Sequence, residues 1–175
     1  MTNLWHDIEA GSATEITTII EIPKGSKNKY EIDKKTGLIA LDRVAHTAQD
    51  FPFDYGFVPQ TLWHDGDALD VIVLTTHPLH PGILVRVRPV AIMHMIDSGD
   101  RDDKIIAVPI EDPRFDTTKE LSDVNPHTLK EIEHFYNTYK KLQNKIVEVT
   151  GFSGRRDAEA AFEEGRTLYQ KEFKK

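Results

Sequence analysis

Over roughly the first two-thirds of the chain, apolar and polar residues tend to alternate as they do in strands; beyond that the spacing is helical. Residues 14–22, rich in Ile and Thr, read as a strand that Pro23-Lys24-Gly25-Ser26 breaks. Lys29-Tyr30-Glu31-Ile32-Asp33 then alternates strictly and Lys34-Lys35-Thr36-Gly37 turns. Leu38-Ile39-Ala40-Leu41-Asp42-Arg43 returns as the second arm of a hairpin. Period two puts Lys29, Glu31 and Asp33 on one face, and Arg43 can reach the same side from the end of the return. Taken alone, such a face is ordinarily just solvated. Residues 46–61 read as loop, and their clustered aromatics as plugs for a core. A Tyr55 hydroxyl facing a cleft would still offer a donor.

A strand is predicted at about 69–75, and a turn at Thr76-His77-Pro78-Leu79-His80-Pro81-Gly82. Its two histidines flank prolines without a metal-ligand pattern and read as surface residues. Residues 83–96 form one long strand or a bent pair interrupted at Pro89, and residues 104–110 form another strand. Residues 111–124 are charged and irregular, as in a surface loop. Asn125 and Pro126 then cap and open a helix over 127–143, with Leu129, Ile132, Phe135, Tyr136, Tyr139 and Leu142 on its apolar stripe. There Tyr139 reads most simply as a core aromatic, and Lys140 as a cation near the helix C-terminus. A short strand at 145–150 and a second helix at 156–172 complete the chain. Strands at short spacing followed by two helices predict the α+β class: an antiparallel barrel or curved sheet with helices packed outside it.

A length of 175 residues fits one domain, 1–175, with room for a proper core. A net charge of −7 argues against a nucleic-acid surface but leaves a phosphate substrate open, because bound cations would invert the local field. The absence of cysteine removes disulfides, thiolate catalysis and Cys-based zinc sites. Residues 1–10 lack a signal-peptide core, and no apolar run approaches the ~20 residues of a membrane span, so a cytoplasmic protein is expected.

Candidate chemistry concentrates in Asp65-Gly66-Asp67-Ala68-Leu69-Asp70 and Asp97-Ser98-Gly99-Asp100-Arg101-Asp102-Asp103, which hold seven of the sixteen aspartates. Like charges about 4 Å apart repel by roughly 4 kcal/mol at an effective dielectric near 20, so such a cluster holds protons or cations. An EF-hand loop fails, because Leu69, Asp70 and Thr76 stand where an oxygen ligand, Gly and Glu are needed. An aspartyl nucleophile is conceivable, but the residues before the loop make a poor apolar strand. The remaining reading is a multi-metal site: Asp65 and Asp70 converge on metal, Asp97 and Asp102 close the cage, and Asp67 handles a proton. That arrangement suits phosphoryl transfer to water, with Lys29, Arg43, Lys104, Lys140 and tyrosine hydroxyls as phosphate-side donors. On the residues alone, an acidic surface without chemistry remains an equal alternative.

Asp65-Gly66-Asp67-Ala68-Leu69-Asp70-Val71 closely resembles the signature of family I soluble inorganic pyrophosphatases of the bacterial type. The flanking Lys29-Tyr30-Glu31-Ile32-Asp33, Asp42-Arg43, Asp54-Tyr55-Gly56, Asp102-Asp103-Lys104 and His134-Phe135-Tyr136-Asn137-Thr138-Tyr139-Lys140 agree in order and spacing, over roughly residues 14–152. The resemblance implies an OB-like five-stranded barrel with flanking helices, usually a homohexamer. It also implies hydrolysis of pyrophosphate to two orthophosphates by water, with several Mg2+ ions. Carried over by position, Asp65, Asp70, Asp97 and Asp102 bind metals, with Glu21 and Glu31 on the periphery. Asp67 is the general base, and Lys29, Arg43, Tyr55, Lys104, Tyr139 and Lys140 grip phosphate. Ala68 stands where the family prefers Pro or Glu, and Ser98 where many members carry an acid. Two other classes compete: an OB-type module for single-stranded nucleic acid, disfavoured by acidic loops, and action on a nucleotide or polyphosphate, for which no Gly-rich phosphate loop is present.

Overall fold

The computed structural model describes residues 2–173. Along these run β1 (Gly11–Ser12), β2 (Glu15–Ile22), β3 (Asn28–Ile32), β4 (Ile39–Val44), β5 (Asp54–Phe57), β6 (Asp70–Val73), β7 (Leu84–Asp97), β8 (Asp100–Arg101), β9 (Lys104–Pro109), α1 (Pro126–Thr138), β10 (Val147–Gly154) and α2 (Arg155–Phe173). β2 pairs with both β5 and β7, β5 with β6, β6 with β9, and β9 with β7, so five strands close a ring. The result is the expected OB-like barrel, extended by β10 along β7, with β3 and β4 as a separate hairpin. Four of its junctions are antiparallel. The fifth, β6 with β9, is parallel and sets Asp70 opposite Lys104.

Two local features let the strands close. Gly56 faces Ile19, where an added Cβ would stand 2.0 Å from the carbonyl oxygen, so β2 and β5 approach only over glycine. Pro89 lies where the β7–β9 register shifts, so its missing N–H falls at an irregularity already present in the ladder.

Side chains then sort to opposite faces. Ile72 and Ile106 join a cluster with Ile132, Phe135 and Tyr136 of α1. Val71, Val73, Ile105 and Ala107 join Ala158, Ala161 and Phe162 of α2. Each fully buried Ile, Val or Phe contributes roughly 1.5–3 kcal/mol. A third cluster joins Trp5, Phe57, Ala68 and Tyr169, with Ile32 and Ile39 of the hairpin packed on it. Asn125 caps α1 by accepting from the His127 N–H at 2.8 Å, with Pro126 in the first turn, as the sequence predicts.

The structure departs from the sequence reading in several places. Residues 46–61 are not all loop: Asp54–Phe57 is a buried strand, because β2 and β6 flank it on both sides. Residues 111–124 hold 3₁₀ turns at Pro113–Phe115 and Leu121–Asp123. The first helix stops at Thr138, and Leu142, assigned to its stripe, is exposed in a following 3₁₀ turn. Asp33 leaves the predicted hairpin face, and its carboxylate accepts from the Lys35 N–H at 3.0 Å, the Thr36 N–H at 2.7 Å and the Thr36 hydroxyl at 2.9 Å. His77 and His80 are exposed, as expected.

Candidate active site

One cavity of about 230 Å³ receives side chains from many parts of the chain. β2 delivers Glu21, the hairpin Lys29, Glu31 and Arg43, and β5 Tyr55. The loop into β6 delivers Asp65, Asp67 and Asp70. The end of β7 and the start of β9 supply Asp97, Asp102 and Lys104, and the residues after α1 supply Tyr139 and Lys140. All thirteen side chains singled out from the sequence therefore line one space. Trp5, Lys34, Ala68 and Lys145 line it too. Sequence reasoning passed over Lys34 as a turn residue and Lys145 as the start of a strand; a cation flanking an acidic motif in space leaves no mark in spacing.

The hairpin supplies its groups through a fold irregularity. Its register shifts between Lys29 and Tyr30, leaving Lys29 opposite Arg43 and Asp42 without a partner. Lys29 and Arg43 thereby reach the same cavity, where Lys29 pairs with Glu31. Burial, with Arg43 beside it, pulls the Lys29 ammonium below its ordinary range.

At the cavity floor the Lys104 ammonium donates to Asp70 Oδ2 at 2.7 Å and Asp102 Oδ1 at 2.8 Å, over the rings of Tyr55 and Tyr136. Burial works to neutralise Lys104, but the Asp102 and Asp70 carboxylates outweigh it and hold the ammonium well above its ordinary range. Burial raises the Asp70 carboxyl despite Lys104. It pushes Asp65 up to about 6 and Glu21 up to about 8, the Asp70 charge adding to both. The Glu21 carboxylate also accepts the Ile32 N–H at 2.8 Å, tying β2 to the hairpin. Asp97 goes the other way: burial opposes its charge, but the ion pair with Lys140 prevails and lowers it. Burial raises the phenols of Tyr55 and Tyr139, which stay protonated donors.

This donor set fits a hard divalent cation. Its candidate oxygen donors are carboxylates, without His or Cys among the lining groups. Burial raises the carboxyls of Asp65 and Asp70, and the neighbouring Asp102 charge adds to both, a field that a bound cation would offset. Among the described residues, however, no three acidic groups converge into a ready-made cage. Lys104 stands between Asp70 and Asp102, where the sequence reading had the two loops close on metal directly. A cation held through one or two carboxylates and its own waters, the habit of Mg2+, requires no such cage.

Fold and site together define a class: a barrel enzyme with carboxylates and fixed cations interleaved around a small polar pocket. The comparisons make it particular. The family model for inorganic pyrophosphatase matches residues 18–170. An inorganic pyrophosphatase of Haloferax volcanii is 46% identical, with 99% of each chain covered. A soluble inorganic pyrophosphatase of Zea mays is 46% identical over 94% of this chain and 78% of its own length. The crystal structure of the Thermus thermophilus inorganic pyrophosphatase superposes with a TM-score of 0.93 at 42% identity, covering 97% of this chain and 99% of that one. The chain belongs to the inorganic pyrophosphatase family, hydrolases of pyrophosphate with a divalent-metal requirement. The match runs through most of α2, beyond the limit near residue 152 that the motifs suggested. The nucleic-acid reading is not favoured: seven carboxylates line the cavity.

Proposed function

We propose that the chain is a Mg2+-dependent pyrophosphatase in which Asp65, Asp70, Asp97 and Asp102 hold the ions, with Glu21 and Glu31 at their periphery. The carrying observation is the convergence of these carboxylates with Lys29, Arg43, Lys104, Lys140, Tyr55 and Tyr139 on one cavity. When bound, the ions supply Lewis-acid stabilisation of phosphate oxygens and make water more acidic. The chain's own groups do the rest. Lys29, Arg43, Lys104 and Lys140 neutralise the phosphate oxygens, and the Tyr55 and Tyr139 hydroxyls donate to them. Asp67 takes a proton from the water whose oxygen bonds to one phosphorus as the bridging P–O bond breaks. Two orthophosphates leave.

Orthophosphate release from pyrophosphate, measured with Mg2+ and with EDTA, tests this reading. Turnover with Mg2+ and none with EDTA is expected, and turnover indifferent to metal would overturn it. We also read residues 1–175 as one domain in a cytoplasmic homohexamer. The exposed Leu38, Leu41 and Val44 of the hairpin offer an apolar surface for another copy, and light scattering tests the assembly.

A further inference from the structure

We infer that Lys34, at the tip of the hairpin, is a positioning residue for Asp67, and that the N-terminal segment around Trp5 holds it there. The inference rests on the reading of Asp67 as proton acceptor. Asp67 has a fixed backbone and a loose side chain. Its carbonyl accepts the Trp63 N–H at 2.7 Å and its own N–H donates to Asp65 Oδ1 at 3.0 Å. Its carboxylate, 57% exposed, has one ion-pair partner among the described residues, the Lys34 ammonium at 2.5 Å from Oδ1. Among the described residues no other ion pair or hydrogen bond holds this carboxylate in one rotamer.

Lys34 is itself fixed from three directions. Its ammonium also donates to the Gly66 carbonyl at 3.2 Å and lies over the Trp5 ring at 5.7 Å. Trp5 is buried, and its indole N–H donates to the Thr61 carbonyl at 2.8 Å, on the segment that leads into the acidic loop. The hairpin turn is pressed on the same N-terminal segment: Gly37, at φ +71°, lies so near Asn3 that an added Cβ would stand 2.9 Å from its Cα. One Asp67 oxygen, Oδ1, is thereby tethered from outside the loop, while the residue lines the cavity. Ala68 fits this arrangement, since it packs in the cluster with Trp5, on which Ile32 of the hairpin also rests.

Steady-state kinetics of Lys34→Met, Lys34→Arg, Asp67→Asn and Lys34→Met/Asp67→Asn, with Mg2+ binding measured by calorimetry, test the inference. Lys34→Met is expected to lower kcat roughly fivefold, the scale of a half-exposed ion pair, with KM and Mg2+ affinity unchanged. Lys34→Arg should retain most of kcat, and Lys34→Met should have no further effect once Asp67→Asn is present. Wild-type kcat in Lys34→Met, a change confined to KM, or an equal fall in both backgrounds would overturn the inference. Wild-type kcat in Asp67→Asn would instead overturn the assignment of Asp67 itself, whatever Lys34→Met does.

Discussion

The loop from Asp65 to Asp70 sends all three of its aspartates to the cavity, whereas the loop from Asp97 to Asp103 sends two of four. Asp100 is exposed, and Asp103 is buried, accepting from Arg101 Nε at 2.6 Å with His94 Nδ1 at 3.4 Å. The difference lies in the source of the countercharge. The second loop carries its own cation, Arg101, and spends one aspartate on it. The first loop has only Gly66, Ala68 and Leu69 between its acids, so Asp67 and Asp70 are balanced from elsewhere, by Lys34 and Lys104. Asp103, neutralised within its own loop, builds the loop; Asp70 and Asp97, neutralised across the fold by Lys104 and Lys140, build the site. The two loops also touch, because the Arg101 guanidinium lies 4.9 Å above the Trp63 ring at the neck of the first loop.

The largest effect expected from this contrast is at Asp67. Asp67→Asn should lower kcat by about 10²–10⁴ while Mg2+ affinity stays nearly intact. Asp70→Asn should weaken Mg2+ binding directly; calorimetry showing the same loss of metal in both variants would break the division of roles. Next comes Asp103→Ala, which removes a buried acceptor and leaves the Met95 N–H and Arg101 without it. A loss of about 2–3 kcal/mol of stability in urea is expected, with little change in kcat beyond that of a loosened loop.

A gentler test uses pH. Burial raises Asp65 to about 6 and Glu21 to about 8, so near neutral pH the metal-free site holds protons that an ionised carboxylate ligand must shed. Mg2+ affinity should therefore rise from pH 6 to pH 8 with proton release on binding, measured in buffers of different ionisation enthalpy. Affinity flat with pH would contradict it. The smallest effect belongs to Asp100→Ala, which should stay within about 0.5 kcal/mol in stability and leave kcat unchanged. A large loss there would mean that the second loop has no idle carboxylate.

Much of this was legible in the chain. Alternation revealed the hairpin, and Asn125-Pro126 with its apolar stripe revealed α1, because these signals are local. β5 was hidden, since Asp54–Phe57 is a strand only by virtue of its neighbours on both sides. Motif order singled out side chains that line one cavity, yet the pairing of Lys104 with Asp70 was not legible, because it depends on the parallel register of β6 and β9. Asp33 and Asp103 show how local bonding sorts acids that a pattern groups together. Period sets Asp33 on the face of Lys29 and Glu31, and composition counts Asp103 in the second acidic window, but hydrogen bonds within their own turns keep both from the cavity.

That parallel register also bears on how the enzyme becomes active after synthesis. Asp70 and Lys104 lie 34 residues apart, and the long β7 must traverse the barrel before β9 can return beside β6. Closing so distant a junction is entropically slow, and folds dominated by non-local pairings take milliseconds to seconds where helical bundles take microseconds. Asp70 meets Lys104 only once β6 and β9 have paired across that separation. Regain of pyrophosphate hydrolysis during refolding should therefore lag secondary structure and report barrel closure.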